Sequence, residues 1–260
     1  MKQAQIQELY GTRQGIQENG DGAVSGGCTA LVAAAGSASR MGGIDKILAP
    51  LNGEPLLLHT LRALAACPEL DAFVIVTRAD LIEPIRALCA SVPKPTAVYP
   101  GGASRSESVL LGLRQVRTEL VAVHDGARPL VTPAVVAAAV EQARQTGAAA
   151  PAVPVHDTVK VAQNGRVRAT PERATLFAVQ TPQVFRTAEL VEALRQALAA
   201  GKALTDDCSA MELAGKPVWL TPGDVENLKV TTPIDLALAE TILKRRNTEC
   251  GSDTDTTSTG

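Results

Sequence analysis

The chain has 260 residues and a formal net charge of −2, with 45% hydrophobic and 20% charged residues. That is apolar material for a sizeable core in one large or two small domains, which excludes whole-chain disorder. The near-neutral charge excludes a bulk pull toward nucleic acid or an anionic membrane, and 2% aromatic content removes the stacking platforms of single-strand binders.

Five cysteines, widely spaced and without a CxxC pair, favour a reducing compartment over a disulfide framework or zinc ribbon. No uninterrupted apolar run reaches the roughly 18 to 20 residues of a membrane span. The segment Met1–Gly20 is rich in Gln and Glu and lacks the apolar centre of a secretory signal. These features predict a cytoplasmic protein.

In chain order, residues 1–27 end in a Gly-rich polar stretch and are predicted to be a disordered leader. Cys28–Ala35 (CTALVAAA) is a short apolar run ending at Gly36, a buried strand entering a loop. Pro55–Cys67 has helical spacing with Pro in the first turn. Ala72–Thr77 (AFVIVT) is a second buried strand, Asp80–Ser91 a helix, and Thr96–Tyr99 a strand stopped by Pro100-Gly101-Gly102. Ser106–Arg117 is predicted helical, Leu120–His124 a strand, Pro133–Thr146 a helix and Ala148–Val153 a strand. Apolar strands alternating with helices indicate a parallel sheet covered on both faces.

The alternation then breaks. Val155–Val161 and Val167–Thr170 flank an Asn164-Gly165 pair, the signature of a type I′ hairpin. Inserted in an α/β alternation, it reads as an arm, about residues 155–175. Helices at Thr187–Ala200 and Asp206–Ala214, strands at Pro217–Leu220 and Asn227–Val230, and a helix at Pro233–Arg246 complete a folded body of residues 28–246. Residues 247–260 read as a disordered tail.

In such a sheet, ligands bind beyond the carboxyl ends of the strands. The loop after Ala35 carries Gly36, Arg40 and Lys46 among small residues that let backbone N–H groups approach a phosphate. It is neither a Walker A loop nor a GxGxxG turn; the alternative is a polar loop with solvated charges. Gly101-Gly102 leads into a hydroxyl-rich helix start (Ser104, Ser106, Ser108), suited to a nucleotide or to ordinary capping. His124-Asp125-Gly126-Ala127-Arg128-Pro129 sets a carboxylate and a guanidinium at a strand end, to bind a ligand or to pair with each other. Thr205-Asp206-Asp207 reads as a helix cap, and Lys229 lies between Leu and Val. The three histidines have no zinc-ligand spacing, and no GxSxG elbow is present.

Taken in order, AAGSASRMGG with Lys46, GGASRSESV, VAVHDGARP, the hairpin with Arg173, FAVQTPQVF, LTDD and ENLKVTTPIDLALAE resemble the 2-C-methyl-D-erythritol 4-phosphate cytidylyltransferase family of the non-mevalonate isoprenoid pathway. The resemblance spans about Cys28–Lys244. It implies an α/β Rossmann-like, mostly parallel sheet with helices on both faces, plus a protruding β-hairpin arm for dimerisation.

It further implies that Arg40 and Lys46 act at the α-phosphate of CTP, and that Arg173 and Lys229 position methylerythritol phosphate. Ala34, Ala35, Gly36, Gly102 and Ser108 match nucleotide contacts, and Asp125, Arg128, Thr158 and Thr205 match positions around the sugar phosphate and ribose. A homodimer in which Arg173 enters the partner's site, and Mg²⁺ with unassigned ligands, are implied with them. The chain departs from the pattern at Ala38, Ile47 and Gly126. The rival readings are a ribitol 5-phosphate cytidylyltransferase and a catalytically inactive nucleotide-binding module; the latter predicts loss of the four cations, and all four are present.

Overall fold

The computed structural model describes residues 25–36 and 45–252. The leader up to residue 24, the loop residues 37–44 including Arg40, and the last eight residues lie outside the described residues.

The first strand, β1 (Ser25–Ala34), opens three residues before the apolar run predicted it. A small ribbon, β2 (Pro50–Leu51) and β3 (Glu54–Pro55), precedes α1 (Leu56–Ala65), β4 (Ala72–Thr77) and α2 (Ile82–Cys89). Then come β5 (Thr96–Pro100), α3 (Arg105–Leu113), β6 (Thr118–Asp125), α4 (Pro133–Thr146) and β7 (Ala148–Pro154). The arm holds β8 (Val161–Gln163) and β9 (Arg166–Ala169), and the chain returns through β10 (Phe177–Val179) and β11 (Gln183–Arg186). Helices α5 (Thr187–Ala199) and α6 (Asp207–Leu213), strand β12 (Trp219–Pro222) and helix α7 (Pro233–Ser252) finish it.

The main sheet runs β10-β7-β11-β6-β1-β4-β5, with β12 alongside β7. Strands β6, β1, β4 and β5 are parallel, with Val32 opposite both Ile75 and His124. Two cores result from strand alternation. Ala30, Val32, Phe73 and Ile75 face α1, α2 and α4, whereas Leu31, Val74 and Val76 face α3, α5 and α6. A third, smaller cluster joins Leu51, Leu56, Leu130 and Val230 to Ala239 of α7.

Helix α4 shows why sequence and structure agree where local chemistry is explicit. Thr132 caps it by accepting the Val135 N–H, Pro133 opens it, and Gly147 ends it at a φ of +89°. The hairpin likewise turns on Asn164 and Gly165 at φ of +51° and +75°, the positive pair that a type I′ turn requires.

Three expectations are corrected. The first hairpin strand is shorter than predicted, because residues 155–160 lie outside the ladder that starts at Val161, while the second keeps four residues and shifts by one. Asn227–Val230 is not a strand: its backbone makes single attachments, such as Val230 N–H to the Ala127 carbonyl at 2.8 Å, and no ladder. Finally, α7 continues past Arg246 to Ser252; β11, for which no element was predicted, inserts antiparallel between β6 and β7.

Candidate active site at the carboxyl edge of the sheet

Strand β1 delivers Ala34 and Ala35 to the carboxyl edge, followed by an exposed Gly36. Where the loop re-enters at Asp45, its carboxylate accepts the Ile47 N–H at 3.3 Å and pairs with Arg78 at 2.6 Å. Lys46, half-buried, therefore sits on a turn anchored from the end of β4. Sequence reasoning missed Arg78, whose partner lies across a crossover.

The Gly101-Gly102 turn packs directly on the end of β1. A Cβ on Gly101 would lie 2.9 Å from the Ala35 Cβ, and one on Gly102 would lie 2.6 Å from the Glu107 Cβ, so both positions need glycine for closeness. The buried Ser108 hydroxyl accepts the Gly102 N–H at 3.0 Å and donates to the Ser104 carbonyl at 2.8 Å. Ala35, Gly102 and Ser108 are thus brought together, with the Ser108 hydroxyl spent on shaping the turn.

Asp125, at the end of β6, is the centre of the edge. Its Oδ2 lies 2.8 Å from Lys229 Nζ and 3.8 Å from Arg128 Nε, and its Oδ1 lies 3.4 Å from Arg105 Nη2. Burial alone would push this carboxyl up, but Arg105, Lys229 and Arg128 outweigh it and hold it down to about 2. Arg128 donates from Nη1 to the Asn227 carbonyl at 2.6 Å, while its buried Nε completes no hydrogen bond among the described residues. The sequence foresaw Asp125 with Arg128; it did not single out Arg105, which also meets the buried Asp207 at 2.8 Å.

The segment carrying Lys229 is fixed by the QTPQ stretch, which the sequence showed only as a signature. Gln180 Oε1 accepts from the Asp224 N–H and from Asn227 Nδ2, and Asn227 Nδ2 also donates to the Thr181 carbonyl at 3.0 Å. Gln183 Oε1 accepts the N–H groups of Asp207 and Cys208, while its amide donates to Asp206 at 2.8 Å. The cap read at Thr205-Asp206-Asp207 is real, with Asp206 accepting the Ser209 N–H at 2.9 Å.

His124 is fully buried beside Asp125. The Thr181 hydroxyl accepts the Asp125 N–H and so donates to His124 Nδ1 at 3.1 Å, which leaves Nε2–H to donate to the Arg128 carbonyl at 3.2 Å. This network suits the neutral ring, and burial pulls its pKa down to about 4. Because the unfolded chain takes up this proton first, stability is expected to fall as pH drops from the ordinary 6.5 toward about 4, by about 3 kcal/mol in full. Urea unfolding across that window checks it, and a His124→Asn chain is expected to lose that part of the dependence. Asp125 enters only later, as pH falls from 3.8 through about 2.

Three predicted site residues do not join the edge within one chain. Thr158 is exposed on the arm, and Arg173 is exposed with Nη1 donating to the His156 carbonyl at 3.0 Å. Thr205 is exposed and hydrogen-bonds Ser209 at 3.0 Å. Among the described residues no three His, Cys, Asp or Glu side chains cluster as a metal cage, and no helix is long and apolar enough to cross a membrane.

A doubly covered, mostly parallel sheet whose carboxyl edge gathers small-residue turns, buried carboxylates and several cations defines an α/β enzyme that handles phosphorylated ligands. Residues 28–245 match the family described as 2-C-methyl-D-erythritol 4-phosphate cytidylyltransferase. A protein of that name from Symbiobacterium thermophilum is 46% identical over 224 residues, covering 85% of this chain and 94% of the relative. One from Desulforamulus reducens is 44% identical, covering 86% and 99%. The crystal structure of the Thermus thermophilus protein of that name superposes with a TM-score of 0.70 at 32% identity, covering 82% of this chain and 98% of that one. The chain belongs to the 2-C-methyl-D-erythritol 4-phosphate cytidylyltransferase family.

Proposed function

We propose that the protein transfers the cytidylyl group of CTP to 2-C-methyl-D-erythritol 4-phosphate in isoprenoid precursor synthesis, working in the cytoplasm as a homodimer. The observation that carries this reading is the Asp125 centre, where one ionised carboxylate orders Lys229, Arg128 and Arg105 at a sheet edge of a chain in this family.

A phosphate oxygen of the acceptor attacks the α-phosphorus in line. The bond from that phosphorus to the bridging oxygen of the β-phosphate breaks, and pyrophosphate leaves with the electron pair. The attacking oxygen is already anionic, so no general base is needed; His124, buried and doubly hydrogen-bonded, has no such role. Catalysis is then charge neutralisation and positioning. Arg40 and Lys46 serve the α-phosphate, and Lys229 with a partner's Arg173 holds the acceptor phosphate. Ala34, Ala35, Gly36, Gly102 and Ser108 shape the nucleotide pocket, and Asp125, Arg128, Thr158 and Thr205 meet the sugars.

Mg²⁺ fits this edge as a passenger of the nucleotide. Asp125 is already engaged by cations, and an ion that keeps its waters and binds mainly phosphate oxygens needs no protein cage. When bound, it neutralises charge on the triphosphate.

The arm supports the shared site. Every residue from His156 to Thr170 is exposed, among them Val159, Val161 and Val167. Phe177, Val179 and Leu220 are exposed too and border a hollow of about 380 Å³. Apolar surface of this kind is what a second copy covers.

The test is pyrophosphate release with CTP and Mg²⁺, offering methylerythritol 4-phosphate and ribitol 5-phosphate in parallel. Strong preference for the former is expected. Preference for ribitol phosphate would keep the chemistry and overturn the pathway, and silence with both would overturn the enzyme.

A further inference from the structure

The reaction as written makes no use of Asp207, yet its side chain is entirely buried against the edge. Neither of its carboxylate oxygens completes a hydrogen bond among the described residues. Its partner is the ion pair with Arg105, 2.8 Å from Nη1. Burial raises the Asp207 carboxyl above the ordinary carboxylate range, and Arg105 opposes that rise without cancelling it, so its charge depends on this guanidinium. Position is not left to chance. Asp207 is the first residue of α6, and Gln183 of β11 fixes its backbone N–H at 3.0 Å. Arg105 is in turn the first residue of α3, which Ser104 caps by accepting the Glu107 N–H at 3.1 Å.

The four groups form a row in which acids and bases alternate: Asp207, Arg105, Asp125, Lys229. Distances along it run 2.8, 3.4 and 2.8 Å. Arg105 is thus drawn closer to Asp207 than to Asp125, and it reaches only the Oδ1 side of Asp125. Without that pull, an arginine fork closes on both oxygens of a carboxylate. It would then compete with Lys229 for Oδ2. A buried ion pair is a poor source of net stability, since desolvation offsets most of its attraction. Its geometric effect is what remains.

Resting on the functional reading above, we infer that Asp207 is a positioning residue for the acceptor side of the site. By holding Arg105 away from Asp125, it leaves Asp125 Oδ2 to orient Lys229 toward the phosphate of the acceptor.

Asp207→Asn tests this in the full-length dimer, because the amide keeps the shape and removes the charge. The KM for methylerythritol 4-phosphate is expected to rise about tenfold with the KM for CTP unchanged, a size typical of coupling between touching charged residues. A general loosening of the fold would instead move both KM values together, and that result, or no change in either, would overturn the inference. A second variant keeps the test independent of folding defects. In an Arg105→Gln background, adding Asp207→Asn is expected to change nothing further, since Asp207 acts through Arg105. Additive losses in the double variant would contradict this. A wild-type chain that fails to turn over methylerythritol phosphate would overturn the functional reading itself, whereas an active wild type matched by Asp207→Asn overturns only the role of Asp207.

Discussion

Replacing Lys229 by alanine is expected to lower kcat/KM for methylerythritol 4-phosphate by about 10²–10³, equivalent to roughly 3–4 kcal/mol of lost transition-state stabilisation. A unit charge about 4 Å from a phosphate oxygen contributes about 4 kcal/mol at an effective dielectric near 20, so one ammonium accounts for a loss of this size. Lys229 is suited to the task by its mixed environment. Its ammonium pairs with Asp125 at 2.8 Å while the side chain stays 40% exposed, so it is oriented without being enclosed. The backbone around it is tied at Asn227 to Arg128 and at Val230 to Ala127. The fold should survive the change, because Arg105 and Arg128 still face Asp125. Steady-state kinetics with each substrate varied in turn checks this, and unchanged kcat/KM for the acceptor would remove Lys229 from the site.

The second large effect concerns the arm. Arg173→Ala is expected to inactivate the chain to a similar degree, about 10²–10³, although among the described residues Arg173 bonds the His156 carbonyl on the arm and does not join the Asp125 centre of its own subunit. A shared site makes a sharper prediction. Mixing equal amounts of Lys229→Ala and Arg173→Ala chains, unfolding and refolding them together, should restore about one quarter of wild-type activity. Half of the randomly formed dimers are mixed, and each mixed dimer keeps one site with both cations. Sites built within a single chain would give no restoration at all.

The strands and helices of the sheet were legible because local chemistry and tertiary role coincide in them. β4 is an apolar run rich in β-branched residues and buried on both faces, and α4 carries its own cap, proline and terminal glycine. β11 was not legible: Gln183–Arg186 has four residues, polar at both ends, and its pairing partners β6 and β7 lie far off in sequence. Asn227–Val230 looked like a strand because Leu and Val alternate with polar residues, but its hydrogen bonds go to side chains and single carbonyls.

At the site, Asp125, Arg128 and Lys229 stood out as charges placed at strand ends or among apolar neighbours. Arg105 and Asp207 did not, since each begins a helix in a hydroxyl- or carboxylate-rich stretch where capping is sufficient explanation. Only the fold, which brings the first residues of α3 and α6 to one place, sets them 2.8 Å apart. The Ser108 hydroxyl and the two glutamines of QTPQ taught the same lesson from the other side. Residues that carry a family likeness here hold the backbone that presents the charges.

The central claim is that an acceptor phosphate oxygen displaces pyrophosphate from the α-phosphorus of CTP. Methylerythritol 4-phosphate bearing oxygen-18 in its phosphate, incubated with the protein, CTP and Mg²⁺ and followed by phosphorus NMR and mass spectrometry, tests it most directly. The account predicts one product with two coupled phosphorus atoms that retains all of the label, including in the new bridge, together with unlabelled pyrophosphate. CMP accumulating beside unchanged methylerythritol phosphate, or label appearing in pyrophosphate, would contradict it.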